Sequence, residues 1–175
     1  METYSLVCHA DTPPLRVQSV DVSWREEHDT LTLCWRVAGA EALIVPKPAD
    51  TPMRKDGLWQ TSCCEFFLSD AHGYREVNLS PSGDWAAYGF SGYRSGMAQV
   101  PFAAPAIRLE HGEPFSLSAT MPANILWGAH HASLTAVIEE EGGHKSYWAL
   151  AHGEGQPDFH APSCFILPLG APPRA

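Results

Sequence analysis

Hydrophobic and polar residues alternate with a period of two along much of this chain. In the segment 60–68, Phe66 and Leu68 alternate with Glu65 and Phe67. A period of two sends the two sets of side chains to opposite faces of a β-sheet. The segment is therefore predicted to be a strand with Phe66 and Leu68 facing the core.

Two more strands are predicted directly after this one, at residues 74–80 and 85–90. The turn sequences at 70–73 and 81–84 separate them, and both are rich in the Asp, Gly, Pro and Ser residues that favour tight turns. Val77 and Leu79 share one face of the strand 74–80, and the other face carries Tyr74, Glu76, Asn78 and Ser80. The pattern thus predicts a three-stranded meander in which Glu65, Glu76 and Asn78 lie on the same side.

Further strand candidates recur at short intervals, at residues 4–9, 17–26, 30–38, 41–45, 115–121, 132–140, 145–151 and 164–169. A helical period is only weakly suggested, near residues 123–131. Many short strands between Gly, Pro and Asp signals are typical of an all-β protein. We therefore expect one domain over residues 1–175, an antiparallel β-sandwich of the jelly-roll or immunoglobulin-like kind.

Two longer irregular segments, at 46–57 and 91–105, are rich in Pro and Gly and carry basic residues. Loops of this length in a small domain often carry function. Arg94, in the second segment, is a candidate donor to ligand hydroxyl groups, although a salt bridge that holds the loop is the commoner role of such a residue.

An aromatic ring beside carboxylates and an amide suits a sugar, because the ring stacks on sugar C–H groups while the polar groups bond the hydroxyls. If Trp59 keeps strand parity, it lies on the Glu65 face; a place at the edge of the core is equally open to it. Tyr74, Glu76 and Asn78 are further candidate ligand-binding residues, because Glu76 and Asn78 share the side of Glu65 and Tyr74 lies on the same face of its strand. For Glu76 and Asn78, which lie on an outward face, simple solvation is the default interpretation.

Glu65 has three possible explanations, because its neighbours in the sequence are apolar or cysteine. It faces solvent, it pairs with a base such as Arg36 or Arg54, or it holds a ligand.

Composition excludes several classes of protein. The chain has 45% hydrophobic and 18% charged residues, and its formal net charge is −9. An acidic chain with scattered basic residues is not expected to bind nucleic acid or an anionic membrane as its main partner. The first fifteen residues lack the pattern of a secretory signal, which predicts a cytoplasmic protein.

Five cysteines lack CxxC spacing, so neither a disulfide framework nor a zinc site is predicted. The adjacent Cys63 and Cys64 are expected to point to opposite faces of their strand. Five histidines lack metal-ligand spacing and are interpreted as scattered surface residues: His130, His131, His144, His152 and His160. The acidic run 139–141 is interpreted as a solvated hairpin tip.

Four short motifs resemble one family in order along the chain: W-x5-E at 59–65, Y-x-E-x-N at 74–78, SPSGDW at 80–85 and FHAPSCF at 159–165. Together they resemble the DOMON-like superfamily and, within it, carbohydrate-binding module family 9. The resemblance implies a β-sandwich that binds a small saccharide without catalysis. It implies Trp59 as a stacking platform, Glu65 as an acceptor for sugar hydroxyls and Phe159 as the opposing ring, where the family has a tryptophan.

Alternatives remain open at this level. Relatives in the superfamily bind haem through a Met and a His, and Met97 with any of nine histidines would supply such a pair. Relatives also carry structural calcium. A Glu65–Glu76 pair would suit a glycoside hydrolase, but no nucleophile motif is present, and the sequence favours a binding protein over an enzyme. The oligomeric state is not predicted.

Overall fold

The computed structural model describes residues 1–170, and this part of the chain folds into two antiparallel β-sheets. In chain order its strands are β1 (Glu2–Ser5), β2 (Val7–Cys8), β3 (Ser19–Glu27), β4 (Thr30–Ala38), β5 (Cys63–Asp70), β6 (Gly73–Leu79), β7 (Trp85–Phe90), β8 (Ala98–Gln99), β9 (Ala106–Glu110), β10 (Phe115–Pro122), β11 (His131–Glu140), β12 (His144–Ala149) and β13 (Leu167–Pro168). One sheet has the order β1-β3-β4-β10-β9, and the other has the order β2-β12-β11-β5-β6-β7-β8, with β13 also pairing with β11.

The main core lies between the sheets and confirms the predicted β-sandwich. Trp35 and Leu117 of the first sheet and Phe66 and Leu134 of the second are fully buried in one hydrophobic cluster. Burying each such side chain stabilises the fold by about 1.5–3 kcal/mol. Trp35 also ties the sheets together, because its Nε1 donates a hydrogen bond to the Thr135 carbonyl at 3.0 Å.

The second sheet is also buried on its other face, which the alternation pattern did not predict. A separate cluster there includes Phe67, Tyr88, Val137 and Phe159. The segment 157–165 supplies part of this cover, since Phe159 and Phe165 pack in it. The face that carries Glu65 is therefore a second interior, and this interior contains the candidate site.

The central meander is confirmed, since β5, β6 and β7 correspond to the predicted segments 60–68, 74–80 and 85–90. A tight turn at His28-Asp29 joins β3 to β4, because Glu27 pairs with Thr30 across it. The weak helical signal near 123–131 is a short 3₁₀ turn at Ala123–Leu126.

Three strand predictions near the ends of the chain or beside loops were wrong in part. The segment 4–9 is split, because the chain leaves one sheet after β1 and joins the other as β2. The segment 41–45 begins in a 3₁₀ turn, Ala40–Ala42, after a left-handed Gly39. The segment 164–169 forms only the two residues of β13. Strand β9, which was not predicted, is a half-exposed edge strand after a proline-rich segment.

Glu140 corrects the interpretation of the run 139–141 as a solvated tip. Its side chain is fully buried and accepts hydrogen bonds from the backbone N–H groups of Leu15, Arg16 and Val17 at 2.7, 2.6 and 3.1 Å. A carboxylate with three such donors is satisfied without a cation. The residue fastens the segment before β3 to the end of β11.

The five cysteines, all within the described residues, are unpaired. Cys64 packs in the core between the sheets and Cys63 packs in the second interior, so the adjacent pair points to opposite faces as predicted. Within residues 1–170, none of the helices is long and apolar enough to cross a membrane.

Candidate functional site

Strand register brings the predicted carboxylates onto one face. Glu65 on β5 pairs with Asn78 on β6, and Phe67 pairs with Glu76. Glu65 and Glu76 are therefore diagonal neighbours, a relation that places Cα atoms about 7–8 Å apart in an antiparallel sheet. Long side chains interact at this separation.

A cavity of about 330 Å³ opens over this face. Such a volume lies at the lower end of the range for small-molecule sites. Five of the seven residues proposed from the sequence line it, namely Trp59, Glu65, Glu76, Arg94 and Phe159. The rest of the lining consists of Phe90, Met97, Val137, Tyr147, Pro157 and His160. Tyr74 and Asn78 are not part of the lining, but they form hydrogen bonds with two residues that are, His160 and Glu76.

Trp59 reaches the cavity by a different route from the one predicted. It lies in the 3₁₀ turn Leu58–Gln60 and not in a strand, so the parity argument was wrong for this residue. Gly57 starts the turn with φ 77°, a left-handed conformation that glycine adopts without strain. The indole is 41% exposed and meets the Tyr88 ring edge-on at 6.4 Å. A half-exposed ring at a cavity mouth is available for stacking.

Glu65 is a buried carboxyl group with one oxygen left unpartnered. The residue is 2% exposed, its Oε2 accepts a hydrogen bond from Thr135 Oγ1 at 3.3 Å, and its Oε1 has no protein partner. Burial, then repulsion from Glu76, raise the pKa of Glu65 well above its usual range. At neutral pH this group therefore holds its proton more readily than an exposed glutamate.

The ion pair considered for Glu65 is not formed. The Arg36 guanidinium donates to Ser23 Oγ at 2.7 Å. The Arg54 guanidinium donates to the carbonyls of Ala87 and Val100 at 2.8 and 2.6 Å, and its Cζ lies 4.7 Å from the centroid of the Trp85 ring. Of the three explanations for Glu65, burial excludes solvent exposure and these contacts exclude both named bases.

Glu76 and Asn78 are buried, so their interpretation as solvated residues was wrong. They are 6% and 0% exposed, because the second interior covers the face that was expected to be outward. Asn78 Nδ2 donates to Glu76 Oε1 at 2.9 Å, while Asn78 Oδ1 has no partner. Burial raises the pKa of Glu76, and the hydrogen bond from Asn78 partly opposes this.

His160 corrects the interpretation of the five histidines as surface residues, because it lines the cavity and connects two polar groups. Its Nδ1 lies 2.7 Å from the Tyr74 hydroxyl, and its Nε2 lies 3.7 Å from Glu76 Oε2. Burial, then the positive charge of Arg94, lower the pKa of His160 to about 4. The ring is therefore neutral at neutral pH, and its approach to Glu76 is not an ion pair.

Arg94 connects two segments at the mouth of the cavity. Its Nη2 donates to Asp158 Oδ1 at 2.7 Å, and Asp158 Oδ2 accepts from the Tyr93 hydroxyl at 2.5 Å. These bonds lower the pKa of Asp158 although its partial burial acts in the opposite direction. The backbone N–H of Arg94 also donates a hydrogen bond to the Tyr74 hydroxyl at 3.2 Å. The two roles considered for Arg94, a salt bridge that holds the loop and a donor to the ligand, are thus compatible, since Arg94 lines the cavity while it is paired with Asp158.

Aromatic side chains form much of the remaining wall. Phe159 is buried, and its ring centroid lies 5.9 Å from that of Tyr147. Phe90 stacks on Tyr74 at 4.6 Å and 8°. Trp59 and Phe159 therefore line one cavity with Glu65 between apolar walls, although a hundred residues separate the two rings in sequence.

Sequence reasoning did not propose several residues of the site. Thr135, Tyr147 and Asp158 carry no motif, and each acts through a strand register or a loop contact that only the folded chain shows. The only available signal was alternation, which places Thr135 and Val137 on one face of β11.

The residues present do not fit a haem bound through Met97 and His160, the one histidine that lines the cavity with Met97. Both ring nitrogens of His160 face protein groups, Tyr74 on one side and Glu76 on the other, so neither is free to ligate iron. Within residues 1–170, no cluster of three or more His, Cys, Asp or Glu side chains is arranged to hold a metal ion.

Comparison with known proteins places the fold. No protein-family model matches the chain, and no curated protein resembles it significantly. A crystal structure of a candidate carbohydrate-binding protein from Bacteroides uniformis aligns with TM-score 0.64 and 18% identity, over 94% of this chain and 84% of that one. A carbohydrate-binding module of family 9 from Caldicellulosiruptor kristjanssonii, in complex with cellotriose, aligns with TM-score 0.51 and 10% identity, over 88% and 74%. The chain therefore has a β-sandwich fold like that of carbohydrate-binding modules.

Proposed function

We propose that this protein binds a small carbohydrate, without catalysis, in the cavity between Trp59 and Phe159. The observation that carries the proposal is the unpartnered Oε1 of Glu65, a 98%-buried acceptor that lines an aromatic-walled cavity. A buried polar atom without a partner costs free energy, and a ligand hydroxyl would remove that cost. The fold shared with two structures of the carbohydrate-binding kind supports the same reading.

Each part of the lining has a role in this proposal. Trp59 supplies a half-exposed stacking surface, and Phe159 supplies a buried one. Glu65 and Glu76 form hydrogen bonds with the ligand's hydroxyl groups. Asn78 positions Glu76, and Tyr74 positions His160, each through a hydrogen bond. Arg94 closes the mouth through Asp158. The motifs at 59–65, 74–78, 80–85 and 159–165 support placing the chain near the DOMON-like superfamily, and the unpaired cysteines support a reducing, cytoplasmic setting.

An enzyme that acts on a sugar derivative is the second candidate. One observation favours it, the diagonal pair of buried carboxyl groups in which Glu65 has a strongly raised pKa, as a general acid requires. Turnover of activated aryl glycosides by the wild-type protein, abolished by Glu65→Gln, would establish this activity. Absence of turnover together with saccharide binding would leave the binding role alone.

Titration calorimetry with a panel of mono- and disaccharides tests the binding proposal. We expect Trp59→Ala to weaken binding at least about tenfold, because truncating an aromatic residue that dominates a binding site costs about 2 kcal/mol or more. Trp127→Ala is the matched control, since Trp127 is 67% exposed and lines a separate groove. Identical null results for the wild type and Trp59→Ala, or an equal loss in Trp127→Ala, would contradict the proposed site.

A further inference from the structure

The cavity is lined by two carboxyl groups whose ionised forms are not neutralised by a cation within the described part of the chain. Glu65 and Glu76 both line it, and within residues 1–170 neither forms a salt bridge with a lysine or arginine. The cation in the lining, Arg94, already donates to Asp158 at 2.7 Å. His160, the base nearest Glu76 at 3.7 Å, is neutral at neutral pH. Buried carboxylates are normally paired or bound to a cation.

The unpartnered polar atom of the lining belongs to a carboxyl group. Glu65 Oε1 lacks a hydrogen-bond partner although the residue is almost wholly buried, and Glu76 Oε2 faces only the neutral ring of His160, at 3.7 Å. A ligand hydroxyl brings one donor and two lone pairs, whereas an ammonium group brings three donors and no acceptor. A donor-rich, positively charged group therefore matches two neighbouring carboxyl groups better than a hydroxyl does.

The aromatic wall is compatible with a ligand that has both a cationic group and a sugar ring. Trp59, Phe90, Tyr147 and Phe159 line the cavity around the two carboxyl groups. Aromatic faces attract cations as well as the C–H face of a sugar ring. Arg94 is paired with Asp158 at the mouth, which reduces the repulsion between its charge and a second cation.

We propose that the ligand is an amino sugar, whose protonated primary amine lies against Glu65 and Glu76 while its ring contacts the aromatic wall. This inference rests on the proposed saccharide-binding function and names the class of saccharide. Asn78 and Thr135 position the two carboxyl groups through their hydrogen bonds and do not contact the ligand.

A proton movement accompanies binding in this proposal. Burial raises the pKa values of Glu65 and Glu76, so the empty cavity holds carboxyl protons more tightly than exposed glutamates do. An ammonium group favours the ionised carboxylates, so its arrival releases a proton to solvent. The other titratable groups that face this pair, His160 and, at the mouth, Arg94 and Asp158, keep their charge state near neutral pH.

The test compares hexoses that differ only at C2. Titration calorimetry measures binding of glucosamine against glucose, galactosamine against galactose, and mannosamine against mannose, near neutral pH and in two buffers of different ionisation enthalpy. We expect one amino sugar to bind at least about tenfold more tightly than its hydroxyl partner, in line with a charge-assisted hydrogen bond. Its heat of binding should depend on the buffer because a proton is released. The N-acetylated form of the same sugar should lose the advantage.

Variants assign the effect to the carboxyl groups. Glu65→Gln and Glu76→Gln keep the shape of the side chain, and each should bring the ratio of amino-sugar to neutral-sugar affinity towards one. Glu154→Gln, at an exposed position, is the matched control and should leave the ratio unchanged. Circular dichroism and thermal denaturation confirm that each variant is folded.

The outcomes separate this inference from the function on which it rests. If the neutral hexose binds as tightly as the amino sugar or more tightly, the amino-sugar inference is overturned and carbohydrate binding stands. If none of the sugars binds, both are overturned. If the amine preference persists in both glutamine variants, the assignment to Glu65 and Glu76 is wrong.

Discussion

At the residue scale, Glu65 shows how a group in the candidate binding site lowers the stability of the folded protein. Its carboxyl group is buried, and one of its two oxygens has no hydrogen-bond partner. The folded state holds its proton more strongly than the unfolded chain does, because burial raises its pKa. This residue weakens the fold at neutral pH, as functional groups often do.

The pH dependence of stability should reveal this cost. With a folded pKa above the unfolded value of about 4.3, Glu65 lowers the free energy of unfolding as pH rises from that value through the folded pKa. We therefore expect Glu65→Gln to be more stable than the wild type near pH 7, and the difference to shrink towards about pH 4. Urea denaturation across this range measures both proteins.

Glu154→Gln is the control for this titration, since an exposed glutamate gives no comparable gain. A Glu65→Gln protein that is less stable than the wild type near neutral pH would contradict the burial argument.

Glu140 is also a buried carboxylate, but unlike Glu65 it accepts hydrogen bonds at both of its oxygens. We expect Glu140→Ala to destabilise the fold by about 2–4 kcal/mol, because three backbone N–H groups of residues 15–17 lose their acceptor. Glu141→Ala, the exposed neighbour, should change stability by less than about 0.5 kcal/mol. Equal effects of the two substitutions in urea denaturation would show that the buried contacts do not stabilise the protein.

At the scale of elements, the Arg94–Asp158 pair joins the loop after β7 to the segment before β13. Tyr93 and the backbone N–H of His160 also bond Asp158, so one carboxylate collects donors from both segments. Two loops that are far apart in sequence are thereby held over the strands that carry Glu65 and Glu76.

Asp158→Asn should loosen these loops more than it destabilises the protein. Arg94 is half-exposed, so the loss of its ion pair changes the free energy of unfolding by about 1 kcal/mol or less. Hydrogen–deuterium exchange should increase at residues 91–96 and 157–160, and saccharide affinity should fall several-fold. Arg25→Ala removes another exposed pair, with Glu27 at 3.6 Å, and should leave both readouts unchanged. Unaltered exchange in Asp158→Asn would show that this contact does not order the loops.

Particular elements show how far the sequence predicts the structure. Alternation predicted β5, β6 and β7 and the common face of Glu65, Glu76 and Asn78, because side-chain parity is a local property of a strand. It did not predict that this face is buried, since part of the cover comes from the segment 157–165, which has no period. Nor did it predict the turn that presents Trp59, or the role of His160, because both depend on contacts distant in sequence.

At the scale of the whole molecule, the protein is a sandwich with two interiors of different character. The interior between the sheets is lined almost entirely by apolar side chains, whereas the interior outside the second sheet combines Phe67, Tyr88 and Phe159 with buried Glu65, Glu76 and Asn78. The first interior stabilises the fold, and the second holds the cavity. This division allows the second sheet to carry polar groups on one face without weakening the packing of the other.

The central claim is that a saccharide occupies the cavity between Trp59 and Phe159. Backbone amide chemical shifts, followed by NMR during titration with the tightest-binding sugar of the panel, test it most directly. The account predicts that the largest changes map to β5 and β6 around Glu65 and Glu76 and to residues 91–97 and 157–160. Changes centred instead on the groove around Trp127, with those residues unmoved, would contradict it.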